Sequence, residues 1–139
     1  MKYRFLVFVF CVSLLAGCAT RPIANELAEP VSSENIIDNI YFESSVDTGQ
    51  VTIKRDEGFG GSGCSTRFFV DAKPIVDLSV SEKIVLYIPE GDHILSAWPN
   101  GLCGGGMAEI KTTIKKGAEA TFRIGWGSNG DFFISPTAF

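Results

Sequence analysis

The chain has 139 residues, enough for one domain rather than two. It is 45% hydrophobic and 20% charged, too apolar for a disordered chain. Twelve Lys and Arg against sixteen Asp and Glu argue against a nucleic-acid binder, and a single histidine with no Cys–His cluster argues against a His-based metal enzyme.

The first element is a leader. Lys2 and Arg4 precede an apolar run from Phe5 to Ala16, which is shorter than the roughly 20 residues a membrane-spanning helix needs. The run ends in Leu15-Ala16-Gly17-Cys18, which resembles the lipobox of bacterial lipoproteins. Small residues at 16 and 17 would admit an extended backbone to a peptidase, with the Cys18 thiol beside the cut. The resemblance implies a signal peptide over 1–17, acylation of Cys18, and a membrane attachment made by lipid. A plain signal peptide or an uncleaved membrane-anchored N-terminus is the alternative. Three acyl chains exceed the two signals that stable anchoring needs. Ala19 stands where an inner-membrane retention signal would have Asp, so the implied location is the outer membrane, periplasmic face by default. Without the leader the basic count falls by Lys2 and Arg4 to 10 against 16 acids, a formal −6.

Residues 18–35 contain Pro22, Pro30, Ser32, Ser33 and several acids, and are expected to form a flexible lipidated tether. Asn35–Asn39 is compatible with a short helical turn capped by Ser33. A β domain is expected over 36–139. Its candidate strands are Ile40–Ser44, Gln50–Arg55, Thr66–Asp71, Lys83–Ile88, His93–Trp98, Ala108–Lys115, Glu119–Gly125 and Asp131–Ser135. In Gln50–Arg55, Val51 and Ile53 alternate with polar residues, and in Glu119–Gly125, Ala120, Phe122 and Ile124 do the same. Turn residues punctuate these runs, as in Pro89-Glu90-Gly91-Asp92 and Lys116-Gly117. No helical pattern is long enough to cross over between parallel strands. The fold class is therefore all-β: a small antiparallel sandwich or partly open barrel of seven to eight strands.

The stretch from Phe69 to Ile75 (Phe-Val-Asp-Ala-Lys-Pro-Ile), followed by Tyr87-Ile88-Pro89-Glu90-Gly91-Asp92-His93-Ile94-Leu95, resembles a recurring bacterial envelope pattern. That pattern reads strand, Asp-Gly-Lys-Pro, apolar strand, Pro-x-Gly-x-His, strand. It occurs in PEGA-type β domains and in small lipoproteins of a related family with no assigned function. The match covers about Thr66 to Ile124, and Ala72 stands where those families usually carry Gly. The resemblance implies a β domain for envelope attachment or display, and brings no catalytic residue with it.

Of the four cysteines, Cys11 leaves with the leader and Cys18 is the lipidation candidate. Cys64 and Cys103 remain, and an even pair in an exported, oxidising compartment is expected to form a disulfide rather than two free thiols. Closing that loop should contribute about 4 kcal/mol in the chain-entropy treatment.

Gly58-x-Gly60-x-x-Gly63 matches the dinucleotide fingerprint in letters, but a strand-like run rather than a helix follows it, so a flexible loop is the better reading. Ser62 misses the Gly-x-Ser-x-Gly elbow at its last place. His93 beside Asp92 and Glu90 could form an acid/base group, yet it also simply opens a strand after a turn. No catalytic residue, metal or cofactor is expected. Lys111, Lys115 and Lys116 read as a solvated sheet edge that discourages strand addition.

The most informative feature is glycine, concentrated in Gly58–Gly63, Gly101–Gly106 and Gly125–Gly130. Cys64 and Cys103 border or occupy two of these loops, and Phe59, Trp98, Asn100, Trp126 and Asn129 accompany the three. They could build one recognition surface, while the plainer reading puts Trp98 and Trp126 in the core. The expected function is a non-enzymatic envelope binding or assembly module contacting a protein or glycan through these loops. The alternatives are a structural accessory subunit of a secretion or surface machine, docked by a sheet edge, and a hydrolase using His93. No nucleic-acid partner is expected.

Overall fold

A computed structural model describes residues 19–139. The lipobox and Cys11 therefore lie outside the described residues. Among the described residues, nine strands form two sheets around one core: β1 (Glu29–Pro30), β2 (Thr48–Arg55), β3 (Thr66–Val70), β4 (Lys73–Leu78), β5 (Glu82–Pro89), β6 (Gly91–Pro99), β7 (Ala108–Ile114), β8 (Glu119–Trp126) and β9 (Phe132–Pro136). One sheet runs β1-β5-β2-β8-β9 and the other β4-β3-β6-β7. The all-β class is as expected.

Alternation explains the core. Val51 and Ile53 of β2, Ile84, Leu86 and Ile88 of β5, and Phe122 and Ile124 of β8 project from one sheet. They meet Phe68, Val70, Val76, Leu78, Leu95, Ala97 and Ile114 from the other. Each methylene taken from water there stabilises the fold by about 0.8 kcal/mol.

Four expectations need correction. Ile40–Ser44 is not a strand. It is an irregular approach in which Tyr41 and Phe42 pack partly against the core, and the Tyr41 carbonyl accepts the Tyr87 amide at 2.7 Å. Lys73–Leu78, absent from the alternating candidates, is the edge strand β4. Its pairing with β3 shifts register between Phe68 and Phe69, so Ile75 and Val76 are both buried and the period-2 signal is lost. Pro74 is tolerated there because β4 is an edge strand. The helical turn sits earlier than expected, as a 3-10 turn over Ser33–Asn35. Ile37 and Asp38 then hydrogen-bond from their amides to the Ile75 carbonyl, covering part of the β4 edge.

The fourth correction concerns the tether. From Thr20 onward the expected tether is packed onto the domain. Ile23 and Ala28 are buried, Arg21 bridges to Glu57, and β1 pairs in parallel with β5. The segment lies over the outer face of the five-stranded sheet, where the buried Lys54 ammonium donates to the main-chain oxygens of Ile23 at 2.5 Å and Phe139 at 2.7 Å. Few apolar residues are present in this stretch; Ile23 and Ala28 are buried against the sheet, while Leu27 stays exposed.

One pairing has no counterpart in the expected antiparallel topology: β2 and β8 run parallel at the centre of their sheet, with Gln50 to Arg55 opposite Glu119 to Ile124. The connection between them passes through the whole four-stranded sheet, so no crossover helix is required. Because β2 and β8 run the same way, the loops that follow both strands emerge at one end of the molecule.

Candidate functional site, the disulfide-stapled loop end

That end is organised from β2. Arg55 continues the parity of Val51 and Ile53, so its side chain enters the end of the core instead of solvent, and it is 1% exposed. Its guanidinium donates to the carbonyls of Gly61 at 2.5 Å, Leu78 at 3.0 Å and Cys64. It also lies 5.2 Å from the centroid of the Trp126 ring. Burial pushes the guanidinium down to about 10, with Glu82 opposing. Arg55 thus draws the Gly58–Gly63 loop back over the core.

Cys64 and Cys103 form the expected disulfide, with Cα atoms 6.1 Å apart. It joins the loop following β2 to the loop following β6. The third Gly-rich loop joins through Trp126, whose ring packs on Gly61 and lies 4.7 Å from the Phe132 ring. The three loops do converge at one end of the fold.

The candidate binding residues divide into two groups. Phe59 is 85% exposed, Trp98 is 48% exposed on the outer side of β6, and Asn129 is exposed at the tip of the β8–β9 connection. These three are available to a partner. Trp126 is half-buried between Arg55, Gly61 and Phe132, which makes it a support for the loops. Asn100 is a support as well: its side-chain amide donates to Asp77 at 2.9 Å and to Ser65 at 3.2 Å. Cys18 falls outside the described residues.

Sequence reasoning missed Leu102, which is fully exposed in the Gly101–Gly106 loop, and it missed Arg55, Asp56 and Thr20. Asp56 is buried and receives both Nε at 2.9 Å and Nη2 of Arg123, together with the Thr20 hydroxyl at 2.9 Å. Thr20 also accepts the Trp126 amide on its hydroxyl oxygen at 2.8 Å. The available signal for Arg55 was its parity: a cation on the core-facing register of a strand has to find acceptors at the end of the core.

His93 sits at the opposite end. Its Nδ1 lies 2.6 Å from Asp71 Oδ2 and its Nε2 lies 2.9 Å from the Pro89 carbonyl, so both nitrogens are engaged in pinning two turns. Asp71 and Ala72 both have positive φ, 49° and 66°, and form the tight turn between β3 and β4 without the Gly of the resembling pattern.

Comparison with models of known protein families and with curated proteins finds no match to this chain.

Proposed function

We propose that the protein is a bacterial outer-membrane lipoprotein: a non-enzymatic envelope module, acylated at Cys18 and facing the periplasm, that contacts another envelope component through the disulfide-stapled loop end. The leader and the Leu15-Ala16-Gly17-Cys18 motif support the anchor, and the motifs from Phe69 to Leu95 support kinship with PEGA-type β domains. The observation that carries the contact surface is the convergence of three Gly-rich loops, fastened by Cys64–Cys103 and by Trp126 on Gly61, with Phe59 and Leu102 left in solvent. Apolar side chains held out on a rigid, stapled support are what a contact surface requires. The engagement of both His93 nitrogens in turn-pinning bonds favours the non-enzymatic reading over a hydrolase.

The second reading is docking by a sheet edge, favoured by the position of β7 at the margin of its sheet. Lys111 on that strand is exposed and paired with Asp92 at 2.9 Å. In-cell crosslinking separates the two. If the loop end is the contact surface, Phe59→Ser with Leu102→Ser removes crosslinked species while Lys111→Glu leaves them; the reverse result assigns contact to the β7 edge. Fractionation of the full chain against Cys18→Ser tests the anchor, with release from the membrane expected for the variant.

A further inference from the structure

We propose that the loop end is a second lipid-contact site, seated on the same bilayer surface that holds the acyl chains. This rests on the Cys18 anchor proposed above and names the envelope component that the loops contact.

The first support is covalent reach. Thr20 is fixed to the domain by three hydrogen bonds: its amide donates to the Trp126 carbonyl at 2.9 Å, its hydroxyl donates to Asp56 at 2.9 Å, and the Trp126 amide donates back to its hydroxyl oxygen at 2.8 Å. Only two peptide units separate Thr20 from Cys18, a span of at most about 7 Å. The headgroup layer of one leaflet is itself roughly 5–8 Å deep. An acylated Cys18 would sit within that layer, which keeps the end of the domain that carries Thr20 close to the bilayer surface.

The second support is what stands at that end. A Cβ placed on Gly58 would be 3.3 Å from the Thr20 Cα, so Phe59 is one residue from a direct contact with the anchoring segment. Leu102 is carried to the same end by the disulfide. Both side chains are in solvent, as are large parts of Trp98 and Met107. The loops are also free of charge: residues 58–64, 99–107 and 125–130 contain no Asp, Glu, Lys or Arg. Entry into the interfacial layer would therefore desolvate no ion within them. Nearby, Arg21 is exposed and pairs with Glu57 at 3.5 Å, and Asp131 flanks the third loop. Aromatic and aliphatic tips on polar, uncharged loops suit the boundary between headgroups and acyl chains. In this orientation the opposite end, with Asp71 and His93, faces away from the bilayer.

The test uses the full chain, expressed with its leader and reconstituted into phosphatidylethanolamine–phosphatidylglycerol vesicles carrying brominated acyl chains. An environment-sensitive fluorescent amino acid is placed at position 59, 102 or 46. Val46 is 87% exposed beside the start of β2, at the far end, and serves as the control. Intact mass reports whether Cys18 is acylated. The proposal predicts at least twofold quenching at 59 and 102, and none at 46, on acylated protein. Acylated protein with unquenched probes at 59 and 102 overturns the loop contact and leaves the anchor standing. A crosslink from those positions to an envelope protein would then give the loop end to that partner. Equal quenching at all three positions overturns the fixed orientation. Protein without acyl mass on Cys18 overturns the anchor, and the loop contact with it.

Discussion

Trp126 packs against Gly61 so closely that a Cβ built on Gly61 would stand 2.6 Å from the indole. Gly61 also has φ +65°, where L side chains are strained. The contact links the loop after β8 to the loop after β2, and the Gly61 carbonyl simultaneously accepts from Arg55. One glycine thus holds two loops and a buried cation in place. Gly61→Ala should destabilise the fold by about 1–3 kcal/mol, the usual cost of overpacking. Urea unfolding with near-ultraviolet circular dichroism of the tryptophans would measure it, and an unchanged midpoint and spectrum would contradict the packing.

Asp56 and Arg123 form a two-pronged ion pair whose acid is fully buried. Removing one partner of such a pair costs more than the pair contributes, because the other is left without compensation. Asp56→Ala should cost about 3–5 kcal/mol. It should also free Thr20, so limited proteolysis should cut between residues 19 and 31 in the variant well before the wild type. Resistance equal to wild type would show that β1 and Ile23 hold the segment without Thr20.

Ala72 occupies a left-handed conformation that glycine adopts without strain. Ala72→Gly should therefore stabilise the protein by about 0.5–1 kcal/mol, the relief of strain exceeding the entropy glycine adds to the unfolded chain. Thermal unfolding checks it: a rise of a few degrees is expected, and a fall would mean that unfolded-state entropy dominates.

The period-2 pattern made seven of the nine strands legible, and the exported-cysteine argument gave the disulfide. What escaped did so for physical reasons. β4 hides behind Pro74 and a bulge that buries Ile75 beside Val76. The segment after Thr20 is polar in composition but contributes Ile23, Ala28 and a parallel edge strand, and pairing through backbone atoms leaves little trace in side-chain pattern. Parallel pairing of β2 with β8 is a long-range choice that no local window encodes. At the site, the three glycine loops were legible, whereas the separation of Phe59 in solvent from Trp126 in a supporting role required the position of Arg55.

Acid should weaken the fold through Asp77 and Asp71. Hydrogen bonds from Arg67, at 2.9 and 2.8 Å, hold the Asp77 carboxyl below the usual carboxylate range, with burial opposing and Asn100 adding to the effect. For Asp71, burial raises the carboxyl, but the Ile94 amide and His93 outweigh it and the net direction is down. Both groups thus bind protons less readily when folded than at the unfolded value of about 3.9. Their stabilisation is complete above that value and is lost as pH falls through the lower folded values. The urea midpoint should drop from about pH 4 downward, and Asp77→Asn should flatten that drop. A midpoint independent of pH in this range would contradict the assignment.

The most direct test of the central claim is the intact mass of the protein extracted from bacterial membranes after expression of the full chain. The account predicts a polypeptide beginning at Cys18 and carrying the added mass of a diacylglyceryl group and an amide-linked acyl chain. A chain that retains Met1, or that begins elsewhere with Cys18 unmodified, would contradict it.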